Sequence, residues 1–397
     1  MRNAALPVWL QQVYSLLFLL LPWTVDLEFG SWNLSIPAEP LLALAGIGMA
    51  YVLFRQKIPH LSALAWISVA WIGWMAVAAL CSTMPLVSGK YWIVEAGHWW
   101  VFFGGLLCWP QLWPRVFRLF AWSMLGVIVY TLGHHAFHDF RANQAMLAPQ
   151  PFFPDHTMYS AVLVMLLFLI TQKTPVTGQW LLRGACLLAL LPAASRGAWL
   201  SLLIAGIVGL ALYWRLRWQW WLLAGAMAFV GILFWQGPVT QALAGDVSTR
   251  ERLNRYSCAW RMAADRPLAG FGPGVFQFKF FAYQRPEEMT RISRTAPIEK
   301  RGPGNYGRGG GAHSEYLQAL AELGWPGLAI WLLLAGGSAA AAAGRYRRTG
   351  SPEYLLLAMA LLSFFLHGLV NNFLHDARIA ALMWGGMACL ARGPSDT

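Results

Sequence analysis

Three short stretches of this 397-residue chain carry side chains whose types and spacing can do chemistry. Ser195-Arg196-Gly197 lies between two apolar runs, in a turn too short to leave a membrane surface. A guanidinium placed there either snorkels to lipid headgroups or holds an anionic ligand. Ser248-Thr249-Arg250-Glu251 has capping-box spacing and predicts a helix running to about Asp265, with Arg250, Arg252 and Arg261 on it. Ala312-His313-Ser314-Glu315-Tyr316-Leu317-Gln318 opens another helix, predicted to stop near Gly324 just before Pro326. His313, in its first turn, is either a satisfied structural histidine or a group that takes up a proton near neutral pH. Ser314, Gln318 and Glu322 form a polar stripe able to orient it. The combined chemistry is phosphate held by planar guanidinium groups beside a proton acceptor.

Weaker signals surround these. Asp155-His156-Thr157-Met158-Tyr159 opens one apolar run, and Asn371-Asn372 with His375-Asp376-Ala377-Arg378 follows another. On the arginine-bearing helix, Arg250, Asn254, Ser257 and Arg261 are expected to share one polar face, either solvated or set against anionic groups, with Leu253, Tyr256, Trp260 and Ala263 opposite. Gly270-Phe271-Gly272-Pro273-Gly274 reads as a tight turn, and the glycine-rich segment 285–311 as a candidate lid. His134, His135 and His138 lack carboxylates at ligand spacing, and the five cysteines include no CxxC pair. Neither a metal nor a cofactor is expected.

The elements that must position these residues belong in a bilayer. Hydrophobic residues make up 58% of the chain and charged residues only 12%, and its mean hydropathy is +0.49. Apolar runs cover about 6–23, 36–54, 62–81, 92–109, 116–133, 157–172, 179–194, 198–214, 218–236, 325–343, 353–371 and 378–391. Each is long enough to cross a hydrocarbon core of roughly 30 Å. The expected fold is therefore an all-α polytopic membrane protein of about twelve transmembrane helices. The first run is read as a retained helix and not a signal peptide.

Alternating the loops places Arg55, Lys57, Arg115, Arg118, Lys173, Arg215, Arg217, Arg345, Arg347 and Arg348 on one side, with both termini. By the positive-inside rule that side is cytoplasmic. The long segment 237–312 then lies outside, yet holds ten arginines and two lysines against six acids. The topology rule does not ask for this excess, and no nucleic-acid module is present. Phosphate attached to something in the membrane is the better partner. The chain divides into helices 1–9 over 1–236, a large outer loop with amphipathic helices over 237–324, and helices 10–12 with a short tail over 325–397.

The ordered set from Asp155-His156-Thr157, through Ser195-Arg196-Gly197-Ala198-Trp199, Arg250 to Pro267 and Gly270 to Gly274, to His313 through Gly324 resembles the polytopic O-antigen ligases and polymerases of the bacterial envelope. The resemblance covers roughly residues 155–330. It implies a C-type, metal-independent glycosyltransferase of the bacterial inner membrane, facing the periplasm, with an undecaprenyl-diphosphate-linked glycan as donor. The acceptor is lipid A core in a ligase, a second lipid-linked glycan in a polymerase, or a protein side chain in an O-oligosaccharyltransferase. By the same resemblance His313 is catalytic. Arg196, Arg250, Arg252 and Arg261 are candidates for holding the diphosphate, with Ser195, Asp155, His156, Glu315 and Gln318 in support. A transporter or flippase for the same lipid-linked glycan is the rival of another class. It would carry charges deep in several spans, whereas here they concentrate at one interface.

Overall fold

The computed structural model describes residues 6–29, 32–54, 61–141, 144–170, 176–214, 225, 247–290 and 310–391. The expected run at 218–236, apart from residue 225, and the glycine-rich stretches 291–309 lie outside them. Every other apolar run is a helix. In chain order these are α1 Val8–Leu20, α2 Ala38–Leu53, α3 Ala63–Leu80, α4 Pro85–His98, α5 Gly105–Cys108, α6 Trp113–Phe137, α7 His156–Leu169, α8 Val176–Leu190 and α9 Arg196–Tyr213. The arginine-bearing helix is α10, Val247–Asp265, followed by α11 Glu315–Thr349, α12 Pro352–His367 and α13 Ala377–Leu390. A π-helical segment, Trp99–Gly104, joins α4 to α5.

Among the described residues, four helical stretches are long and apolar enough to cross a membrane: Ala63–Leu80, Pro110–Phe137, Arg196–Tyr213 and Glu315–Thr349. The other apolar helices are shorter. The molecule is mostly helical, with one departure from the all-α expectation. Val25–Phe29 (β1) pairs antiparallel with Trp32–Ile36 (β2), Val25 opposite Ile36 and Leu27 opposite Leu34. Val-Asp-Leu-Glu-Phe and Trp-Asn-Leu-Ser-Ile alternate apolar and polar residues, the period of a strand and not of a helix.

The centre of the bundle is α13, apolar on all sides and buried along nearly its whole length. Small residues on it, Ala380, Ala381, Gly385, Gly386 and Ala388, admit close approach, which substitutes for a hydrophobic driving force between helices in lipid. Helix α7 is also buried throughout from Met158 onward.

One end of this bundle gathers the starts of α7, α9, α11 and α13. Asp155, Ser314 and Asp376 cap their own helices there: each side chain accepts a backbone N–H of the first turn. Ser195 occupies the same position on α9 and makes no such bond.

Candidate active site

The first part of α11 and the segment leading into it are held in place from several directions. Arg255 of α10 donates to the Gly311 carbonyl (2.7 Å), and Gln318 accepts the Ala312 N–H (2.7 Å). The Tyr256 hydroxyl donates to the His313 carbonyl (3.1 Å), and Asn372 accepts the Ser314 N–H (3.1 Å). Four consecutive residues are thereby fixed, which explains how His313 keeps φ at +53°. A left-handed non-glycine residue costs about 1–2 kcal/mol, so it persists only where its surroundings impose it.

Burial, with the positive charges of Arg255 and Arg252 behind it, lowers the His313 pKa to about 3. At neutral pH the imidazole is uncharged, the form that accepts a proton. Arg252 also acts electrostatically on His156, Tyr256 and His367. This one guanidinium, half-buried on α10, is the common neighbour of three histidines.

Glu315 ties α11 to the segment after α12. Its backbone N–H donates to the Gly368 carbonyl (2.8 Å), and its Oε1 accepts the N–H groups of Phe373 and Leu374 (2.5 and 2.9 Å). Gln318 donates to Glu322 (2.6 Å), which accepts the N–H groups of Gly274 and Phe276 (2.9 and 2.8 Å). The glycine cluster is therefore docked on α11 around a carboxylate, the wrong charge for a phosphate cradle. It serves as the tight turn read from sequence. The helix break expected near Gly324 falls at that residue: φ is +69°, and a Cβ there would lie 2.1 Å from the Leu268 carbonyl oxygen.

The expected faces of α10 need correction. Asn254 is 1% exposed and accepts from the Cys258 thiol, while Cys258, Ala259 and Met262 pack onto Phe271, Val275, Phe276, Phe280 and Ala312. Leu253 (55%) and Trp260 (51%) point outward instead, with Trp260 beside Trp325 at a ring separation of 5.8 Å. The helix carries two apolar stripes, and the folded segment after it covers the one with the smaller residues.

Of the arginines expected to hold phosphate, Arg196 stands exposed on the first turn of α9 and Arg250 exposed near the start of α10. Arg252 sits among the histidines. Arg261 is not brought there. Nine residues along a helix are two and a half turns, about 13.5 Å and the opposite side. Arg261 instead pairs with Glu288 and donates to the Tyr283 carbonyl (2.6 Å). Asp155 is the cap of α7, its Oδ1 accepting from Thr157 and Met158 (2.7 and 2.9 Å). His134 and His135 engage the carbonyls of Ala148 and Arg141 (3.0 and 3.1 Å).

Sequence reasoning missed Arg255, Tyr256 and His367. Tyr256 and Arg255 follow Arg252 by one helical turn, a spacing that marks a shared face once Arg252 is singled out. His367 gave only the faint signal of a histidine inside an apolar run.

Residues 182–332 match the family model described as O-antigen ligase. Over this segment the chain is similar to the O-antigen ligase family. No curated protein matches the chain. The ligase match encloses Ser195, Arg196, α10, the glycine turn and His313, while His156, His367 and Asn372 lie beyond it. Proteins of that family carry out glycan transfer of the ligase or polymerase type in a membrane, and this similarity is what the matched segment shares with them.

Proposed function

We propose that the protein transfers a glycan from undecaprenyl diphosphate to an acceptor hydroxyl, with lipid A core as the acceptor, at the periplasmic face of the bacterial inner membrane. The observation that carries this reading is a neutral His313, pinned in a left-handed conformation beside Arg252, inside the segment matched by the ligase family model. The acceptor oxygen attacks the anomeric carbon as its proton passes to His313. The bond from that carbon to the diphosphate oxygen breaks, and its electron pair leaves with undecaprenyl diphosphate.

Arg196 and Arg252 receive the departing charge, with Arg250 at the rim, so the reaction runs without a divalent cation. Ser195, His156, Glu315 and Gln318 support the site, and Asp155 fixes the helix start that carries His156. Both termini are cytoplasmic in this reading, and the periplasmic segment is 237–324, between 1–236 and 325–397.

An apolar groove of about 480 Å³ between α9, α11 and α12 supports a lipid-linked donor. It begins at Tyr316, three residues from His313, passes Gly209, Ala339 and Met359, and reaches Tyr346 and Arg347. A polyprenyl tail lying in it would leave its diphosphate at the histidines.

The test is purified protein in liposomes with undecaprenyl-diphosphate glycan and either lipid A core or a second lipid-linked glycan. The expected product is glycan on the core with inverted anomeric configuration, formed equally well in EDTA. Elongation of the second glycan alone would identify a polymerase. Activity abolished by EDTA and restored by magnesium would remove metal independence, and no product with either acceptor would overturn the reading.

A further inference from the structure

At the end of the bundle that holds His313, several buried polar atoms make no hydrogen bond with the described residues. They are Ser195 Oγ, His156 Nδ1 and both ring nitrogens of His367. They come from the starts of α7 and α9 and the end of α12. Buried polar groups are paired in the great majority of cases, so a set left open in one place calls for a ligand.

His367 is the most telling member. It is 1% exposed, and its ring meets Phe373 edge-on with centroids 4.7 Å apart. That packing occupies the ring and leaves both nitrogens unanswered. A Cβ on Gly197 would fall 2.7 Å from its Cδ2 and 2.8 Å from its Nε2. The imidazole therefore rests directly on the Ser195-Arg196-Gly197 turn, and glycine is the residue that lets it. On the other side, the bond from Glu315 N–H to the Gly368 carbonyl joins the residue after His367 to the residue two beyond His313. Arg252 is in electrostatic reach of both histidines.

The chemistry of this set selects its ligand. An imidazole with a free N–H, a free hydroxyl and an arginine offer donors and positive charge, while the nearby carboxylates of Asp155 and Glu315 are engaged by backbone N–H groups. This suits an oxygen-rich anion of the phosphate class. We propose that His367 is a second histidine of the donor site, and that with Ser195 it donates hydrogen bonds to the diphosphate of the lipid-linked donor. The proposal rests on the donor reading above. It places His367 on the leaving-group side and His313 on the acceptor side of the anomeric carbon.

Undecaprenyl diphosphate is the probe, titrated into full-length protein in nanodiscs, with transfer kinetics measured on the same samples. His367→Ala is expected to raise the Kd for the probe and the KM for the donor by about tenfold or more, the usual weight of a hydrogen bond to a charged group. The rate at saturating donor falls by less. His367→Gln, whose amide still donates, recovers most of the affinity, and Gly197→Ala raises KM because its methyl displaces the ring. A merely structural His367 gives a lower melting temperature with unchanged Kd and KM, and that result overturns the proposal. Should His367→Ala fail to fold, Gly197→Ala decides, and a wild-type Kd there overturns it equally. Wild-type protein that does not bind undecaprenyl diphosphate would instead bring down the donor reading, and this proposal with it.

Discussion

At the scale of single residues, the contrast between His313 and its arginines sets the pH behaviour. The His313 pKa is lowered to about 3, against 6.5 for an ordinary histidine, by burial and then by Arg255 and Arg252. A bound diphosphate would cancel much of that positive charge and raise the basicity of the imidazole when a proton must be accepted. The acid limb of kcat/KM, which reports the free enzyme, is therefore expected at lower pH than the acid limb of kcat, which reports the donor complex. Coincident limbs, or limbs that survive in His313→Gln, would show that another group governs the profile. The same depression has a sign for stability. Between pH 6.5 and about 3 the unfolded chain binds a proton that the folded site refuses, so this residue withdraws stability as pH falls and is silent above that window.

The arginines separate at this scale too. Arg252→Ala is expected to raise the donor KM by about 10- to 100-fold, as for loss of a charge-assisted hydrogen bond, and Arg252→Lys recovers only part because an ammonium lacks the planar fork. Arg261→Ala is expected to leave the donor KM within about twofold. Its partners, Glu288 and the Tyr283 carbonyl, lie in the folded segment after α10, so its loss shows as faster proteolysis there. Equal kinetic damage from both substitutions would refute the separation.

At the scale of elements, the helices were legible in the sequence because long apolar runs have few alternatives, whereas Asp155 and Ser314, read there only as a polar start of a run and part of a polar stripe, are shown as caps by the fold, which sets their side chains against first-turn N–H groups. The β1–β2 pairing was hidden by its shortness beside the long runs that flank it. The orientation of α10 was not legible, since both its stripes are apolar enough to be buried and the choice is made by residues up to sixty positions away, Phe271 through Ala321. For the same reason the sequence could nominate His313 and Arg252 but not the third histidine, which reaches the site through the fold alone. This orientation is testable. Met262→Asp buries an unpaired charge and is expected to unfold the segment at a cost of several kcal/mol, whereas Trp260→Ser changes the melting temperature in detergent little. Gly324→Ala adds left-handed strain of about 1–2 kcal/mol and a clash with the Leu268 carbonyl, so it should free the glycine turn from α11.

At the scale of the whole molecule, the proposed reaction needs its polar chemistry at one membrane face and its lipid substrate within the bilayer. The bundle offers both along one line. The polar end carries the three histidines and Arg252, and the groove that starts at Tyr316 descends between α9, α11 and α12 past small side chains. If the groove guides the polyprenyl tail, its contribution should scale with the length of chain it covers, because each buried methylene adds about 0.8 kcal/mol only where it finds a surface. Ala339→Trp, which fills the groove well below the histidines, is then expected to raise the KM for an undecaprenyl-linked donor while leaving that for a two- or three-isoprene donor nearly unchanged. His313→Ala should abolish transfer from both. The ratio of the two KM values thus reads the groove separately from the chemistry. A tryptophan at 339 that slows long and short donors alike would mean that the groove packs the bundle without guiding the substrate.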